Sequence, residues 1–182
     1  MEWPAITFED WKPVSRPVAI IAIALYLLFL LYAANNRSGF LFLDLANLMI
    51  HEAGHPLFSS FGDTLMLLGG TLLELIVPAA CGIYFFLRRH AYGFAFCSLW
   101  FFENFLYIGT YMADARTSSL ALVGSDTSDW ELLFGQWGVL LYDQKIGYTM
   151  RALGWLGMLA TLAWLAYRTF RTVQAELKPL EM

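Results

Sequence analysis

His51, Glu52 and His55 stand in the order His-Glu-x-x-His, in a chain with only three histidines. On a helix, residues four apart share a face, so His51 and His55 can bind one metal ion together. Glu52 then projects beside that ion, where a carboxylate can act as general base on water activated by it. The pentad His51-Glu52-Ala53-Gly54-His55 lies inside an apolar stretch. A charged group in an apolar membrane helix is costly, which marks this stretch as a site.

Zinc in a catalytic centre usually takes three protein ligands and leaves one position open. His90, the remaining histidine, follows Arg88 and Arg89 and is expected at the opposite membrane face. The third ligand is therefore expected to be a carboxylate. Asp114 is the preferred one, because it closes the fourth apolar segment on the side where the second one ends. Glu74, ten residues into the third segment, competes with it, and Glu103, Asp129 and Asp126 are further alternatives. Asp44, Asn47, His51 and His55 are spaced by three, four and four, a single polar helix stripe. Asp44 or Asn47 is thus placed to receive the second ring N–H of a ligating histidine. Asn104, beside Glu103, suits either a hydrogen bond to substrate or a tie between helices. Pro56 removes the amide donor that would bond to Glu52 O, which predicts a kink at the second ligand.

The elements that must position these residues are helices. The chain has 182 residues, 59% hydrophobic and only 14% charged, with a mean hydropathy of +0.56. Disorder and an ordinary soluble domain are both excluded by such values. Net charge is −4 without a basic run, so no nucleic-acid partner is expected. Cys81 and Cys97 form no CxxC pair and read as small buried residues. The fold class expected is all-α: a polytopic membrane helix bundle in one domain, 1–182, whose first partner is the lipid bilayer. Five apolar segments, 17–34, 40–61, 64–87, 91–113 and 147–167, approach the ~20 residues needed to span a bilayer. The first follows a polar lead without a small-residue cleavage site, so no cleaved leader is expected.

With five spans, Arg37, Arg88, Arg89, Arg168, Arg171 and Lys178 fall on one face. That bias predicts the N-terminus outside, the C-terminus in the cytoplasm, and the acid-rich connection 114–146 with the site towards the extracytoplasmic side. Within this connection, Trp130 to Tyr142 carries apolar residues at helical spacing, as in an amphipathic interfacial segment or a lid.

The residues resemble those of site-2-protease-type intramembrane zinc metallopeptidases. His51, Glu52 and His55 match that family's pentad, and Asn104 with Asp114 ten residues later is similar to its Asn…Asp element. Asp114 stands in Met112-Ala113-Asp114-Ala115-Arg116 rather than in the family's Leu-Asp-Gly. The chain also resembles a small group of bacterial membrane proteins with His-Glu-Ala-Gly-His, Gly-Gly (here Gly69-Gly70) and Tyr-x-x-Asp-Ala-Arg (here Tyr111 to Arg116). That group has His-Asp-Trp where this chain has Ser128-Asp129-Trp130. The resemblance implies a multi-pass protein of a bacterial inner membrane that binds Zn2+ and cleaves peptide bonds of membrane proteins or peptides. Pentad and resemblance together lead to the expectation of a zinc-dependent membrane hydrolase. The alternative is a non-catalytic membrane subunit or binding protein with a structural or vestigial metal site.

Overall fold

The computed structural model describes residues 11–12, 15–36, 39–120 and 127–177, with side chains to residue 171. Arg37, Asp126 and Lys178 lie outside the described residues. The architecture is all-helical: α1 (Arg16–Asn35), α2 (Asp44–Phe58), α3 (Asp63–Leu87), α4 (Ala91–Ala113), α5 (Asp129–Gln136) and α6 (Asp143–Leu177), with 3-10 turns at Ser59–Phe61 and Leu140–Tyr142. Two helices, α1 and α3, are long and apolar enough to cross a membrane. α2 is too short for this at 15 residues. α6 continues well past the apolar run that ends near Tyr167, because no helix breaker follows it.

Pro56 does not break α2. It lies in the last turn, after which the backbone tightens into the 3-10 turn and reverses at Gly62. Gly62 has φ +96°, a conformation only glycine adopts without strain, so α3 turns back directly along α2. The two helices then meet backbone to backbone: a Cβ on Gly54 would lie 2.2 Å from Gly69 O. Gly69 and Gly70 sit inside an unbroken helix and allow this close crossing. The α4–α6 pair repeats the device, with Gly147 against the Gly109 carbonyl and Gly154 against Phe102 O.

The path of the chain differs from five equal spans. Lys12 N donates to Arg89 O at 2.9 Å, and Trp11 stacks among Phe86, Phe94 and Trp164 with the Arg168 guanidinium over its ring. The start of α1 therefore lies beside the α3–α4 turn and the C-terminal part of α6. Tyr26 further along α1 donates to Met158 O, so α1 runs antiparallel to α6 and climbs to the opposite end. There Gly39 meets Thr110 and Phe40 meets Tyr107, near the end of α4. The chain then turns inward: Leu41 is buried with Tyr26, Leu30 and Leu99, and α2 starts beside Glu103, midway along α4. α2 rises from there to the end where α4 stops and α5 sits. Four long helices thus traverse the bundle, while α2 enters and leaves at one end. Both ends of the described chain lie at the same end of the bundle, whereas five successive full-length helices would put them at opposite ends. Apolar content alone counted 40–61 as one full-length element, whereas α2 covers only Asp44–Phe58.

The amphipathic segment of the long connection is α5. Trp130, Leu133 and Phe134 are buried against Leu67, Ile108, Met112 and Ala115, so its apolar face is turned to protein. Its outer face leaves Leu132 and Trp137 exposed. Asp114 and Asp143 tie down the two ends of the connection. Burial disfavours the Asp114 carboxylate, but bonds from Ser119, Thr117 and the Leu120 amide outweigh it and hold the group below its usual range. Hydrogen bonding by Arg116 does the same for Asp143, whose Oδ1 lies 2.8 Å from Arg116 Nη2. For carboxyls lowered by folding, the contribution to stability is complete above the unfolded value of about 3.9 and is lost as pH falls through the lower folded values. The thermal midpoint of the detergent-solubilised protein should therefore drop as pH is lowered below about 4, and Asp114→Asn with Asp143→Asn should flatten that part of the profile.

Candidate metal centre

α2 and α3 bring the pentad against α5. His51 Nε2 lies 3.0 Å from Asp129 Oδ2, and His55 Nε2 lies 3.5 Å from the same oxygen. Ligand atoms of His51, His55 and Asp129 all fall within 4.8 Å of one another. The outer ring nitrogens face acceptors. His55 Nδ1 is 2.9 Å from Met66 O, and His51 Nδ1 is 3.3 Å from Glu74 Oε1. A carbonyl only accepts, so His55 donates from Nδ1, and in the neutral ring its Nε2 lone pair then points at the Asp129 carboxylate. His51 Nε2 either donates a proton to that oxygen or, as a second lone pair, completes with His55 Nε2 and Asp129 Oδ2 a group that could hold a metal ion.

The residues present fit zinc. Bonds of 2.0–2.2 Å in a tetrahedron place neighbouring ligand atoms roughly 3.3 Å apart, and the two observed separations from Asp129 bracket that value. Met66 O and Glu74 would orient the rings and fix their tautomers. Gly70 is the floor of this arrangement, because a Cβ there would lie 2.6 Å from His51 Nε2. Tyr111 braces it from α4: its ring meets the His51 ring edge-on at 5.9 Å, and its hydroxyl accepts from Asp129 N at 3.3 Å. Glu52 is half-buried one residue on from His51, within electrostatic reach of Tyr107 and Tyr111.

Other candidates from the sequence lie elsewhere. Asp114, the preferred third ligand, turns its carboxylate into its own loop, onto Thr117, Ser119 and Leu120, and is not brought to the histidines. Asp44 and Asn47 do not reach the histidine rings either. Asn47 Nδ2 donates to Asp44 Oδ1 at 3.2 Å and to Glu103 Oε2 at 3.0 Å, while its Oδ1 accepts from Trp100. Glu103 is thereby committed to this second buried network. Asn104 ties two helices, donating to Glu74 O and Trp100 O. His90 caps the far end of α4, accepting from Gly93 N. Sequence reasoning missed the parts played by Met66 and Tyr111. A backbone carbonyl leaves no trace in a sequence, and Tyr111 drew notice only within a resemblance.

No family model, characterised protein or solved structure matches this chain.

Metal content of the purified protein is the direct check. About one zinc per chain is expected, lost in His51→Ala and Asp129→Ala and kept in Asp114→Ala. Gly70→Ala should displace the His51 ring and weaken zinc while helix content stays unchanged. Glu74→Gln should cost about 10- to 100-fold in metal affinity.

Proposed function

We propose that this chain is a zinc-dependent integral-membrane hydrolase whose most suitable substrate bond is the amide of a peptide in or near the bilayer. The observation that carries the reading is the convergence of both pentad Nε2 atoms on one Asp129 oxygen. His51, His55 and Asp129 would hold the metal. Bound zinc would supply Lewis acidity, lowering the pKa of water towards neutrality and polarising a carbonyl. Glu52 stands next to the ligands as the general base. It takes a proton from water as the oxygen attacks the carbonyl carbon, then returns it to the amine as the C–N bond breaks. α5 and Tyr111 keep Asp129 in place and limit bulk water.

The chain path supports a membrane setting with revised topology. Among the described residues, Lys12, Arg16, Arg88, Arg89, Arg168 and Arg171 gather at one end of the bundle, while Asp63, Asp114, Asp129, Glu131 and Asp143 gather at the other with Arg116 and Lys145. By the positive-inside bias, the basic end faces the cytoplasm, with both ends of the described chain, and the metal centre lies towards the opposite face. α2 is then a re-entrant helix whose polar face (Asp44, Asn47, His51) is turned to other helices while Leu45, Met49 and Leu57 are left to the lipid.

The non-catalytic reading retains one supporting observation: His51 is only 4% exposed, covered by Asp129 and Tyr111. Glu52→Gln separates the two. Loss of general-base catalysis costs roughly 10²- to 10⁴-fold, so peptide cleavage in reconstituted vesicles should fall by that range with zinc content unchanged. Equal cleavage by wild type and variant would remove Glu52 from the reaction.

A further inference from the structure

Between the end of α4 and the start of α6 lies an open hollow of about 650 Å³, lined by Arg116, Leu141, Gln144, Lys145, Tyr148, Thr149 and Ala152. Every polar group on that lining is able to donate a hydrogen bond and none is an acid. At this end of the bundle, where five carboxylates crowd, the two described cations line the same hollow. Arg116 is held in place from behind: Nε and Nη2 both lie 2.8 Å from Oδ1 of the buried Asp143. Its remaining donors are left to the mouth of the hollow. Lys145 is exposed and adds the uncompensated positive charge. Below the hollow, Tyr148, Ala152, Leu156 and Leu159 continue as one stripe on α6. Tyr148, Leu156 and Leu159 on it are large and at least half exposed, at 57%, 64% and 50%.

We propose that this hollow is a binding site for the phosphate of an anionic phospholipid, with the acyl chains lying along the α6 stripe. The donor set suits a singly charged phosphodiester: one oriented guanidinium, one free ammonium, and an amide and a phenol at the rim. The depth is also right, because both cations stand where long helices end and the apolar stripe begins, the level of lipid headgroups. A soluble anion would use the donors and leave the stripe without a role. The site rests on the membrane placement of the helices and not on the hydrolytic chemistry.

The test is lipid retention and exchange, read by native mass spectrometry on the full-length, detergent-solubilised protein titrated with phosphatidylglycerol or phosphatidylcholine. Wild type should bind one phosphatidylglycerol at least ten-fold more tightly than phosphatidylcholine, and Lys145→Glu, at an exposed position, should abolish that preference. Arg116→Gln should do the same. If it unfolds the protein, Lys145→Glu still decides. Equal binding of the two lipids, or a preference unchanged in Lys145→Glu, overturns the site. Displacement by millimolar inorganic phosphate would assign the hollow to a free anion and overturn the lipid. Co-sedimentation of the wild type with membranes is measured in parallel. Its failure would remove the membrane reading itself, whereas lost lipid preference with membrane association intact removes only this inference.

Discussion

The backbone contact between Gly54 and Gly69 is the constraint from which the centre follows. At that separation neither helix can carry a side chain, so the register of α2 on α3 is fixed by sterics rather than by polar pairing. Once it is set, the His51 ring lies flat against Gly70, its Nδ1 looks to Glu74, and His55 reaches the Met66 carbonyl from one turn further on. Nothing flexible is needed to aim either histidine. The cost is that both glycines and the Gly62 reversal must all be present. Few alternatives exist for such a close crossing, which is why small residues recur in the same role between α4 and α6.

A second consequence is the separation of two buried polar groups along α2. Asp44, Asn47, Glu103 and Trp100 are joined through Asn47 at the inner end, while His51, His55, Glu74 and Asp129 meet at the outer one. The stripe of polar residues on α2 is therefore one face serving two neighbours, α4 below and α3 with α5 above. Sharing a helix face in sequence does not mean sharing a site. The partner that approaches each turn decides what that residue does.

Much of this was legible in the sequence. The pentad, the boundaries of α1, α3 and α4 and the burial of Glu74 and Glu103 all follow from spacing and apolar content, which are local properties. The path of the chain was not legible, because hydropathy cannot tell a helix that runs the length of the bundle from one that begins partway along it after an inward turn at Leu41. Nor was the placement of Asp129 over Asp114. The two acids differ in what surrounds them: Asp114 has its own Thr117 and Ser119 as neighbours in the chain, while Asp129 opens a helix whose Trp130, Leu133 and Phe134 dock it on α3 and α4. That docking is a tertiary fact. A sequence reading weighs an acid in a long connection as solvated, and here the apolar face beside it decides otherwise.

Placing Asp129 on α5 also orders events during synthesis. The histidine-bearing hairpin of α2 and α3 is complete long before residue 129 leaves the ribosome, and α5 cannot dock until α4 has supplied Ile108 and Met112. A nascent chain therefore presents the two histidines before the carboxylate that faces them, and the group that could hold a metal ion is complete only once the late segment has docked. Completion of this group is thus the last step of assembly, set by the docking of α5 rather than by the hairpin that carries the histidines.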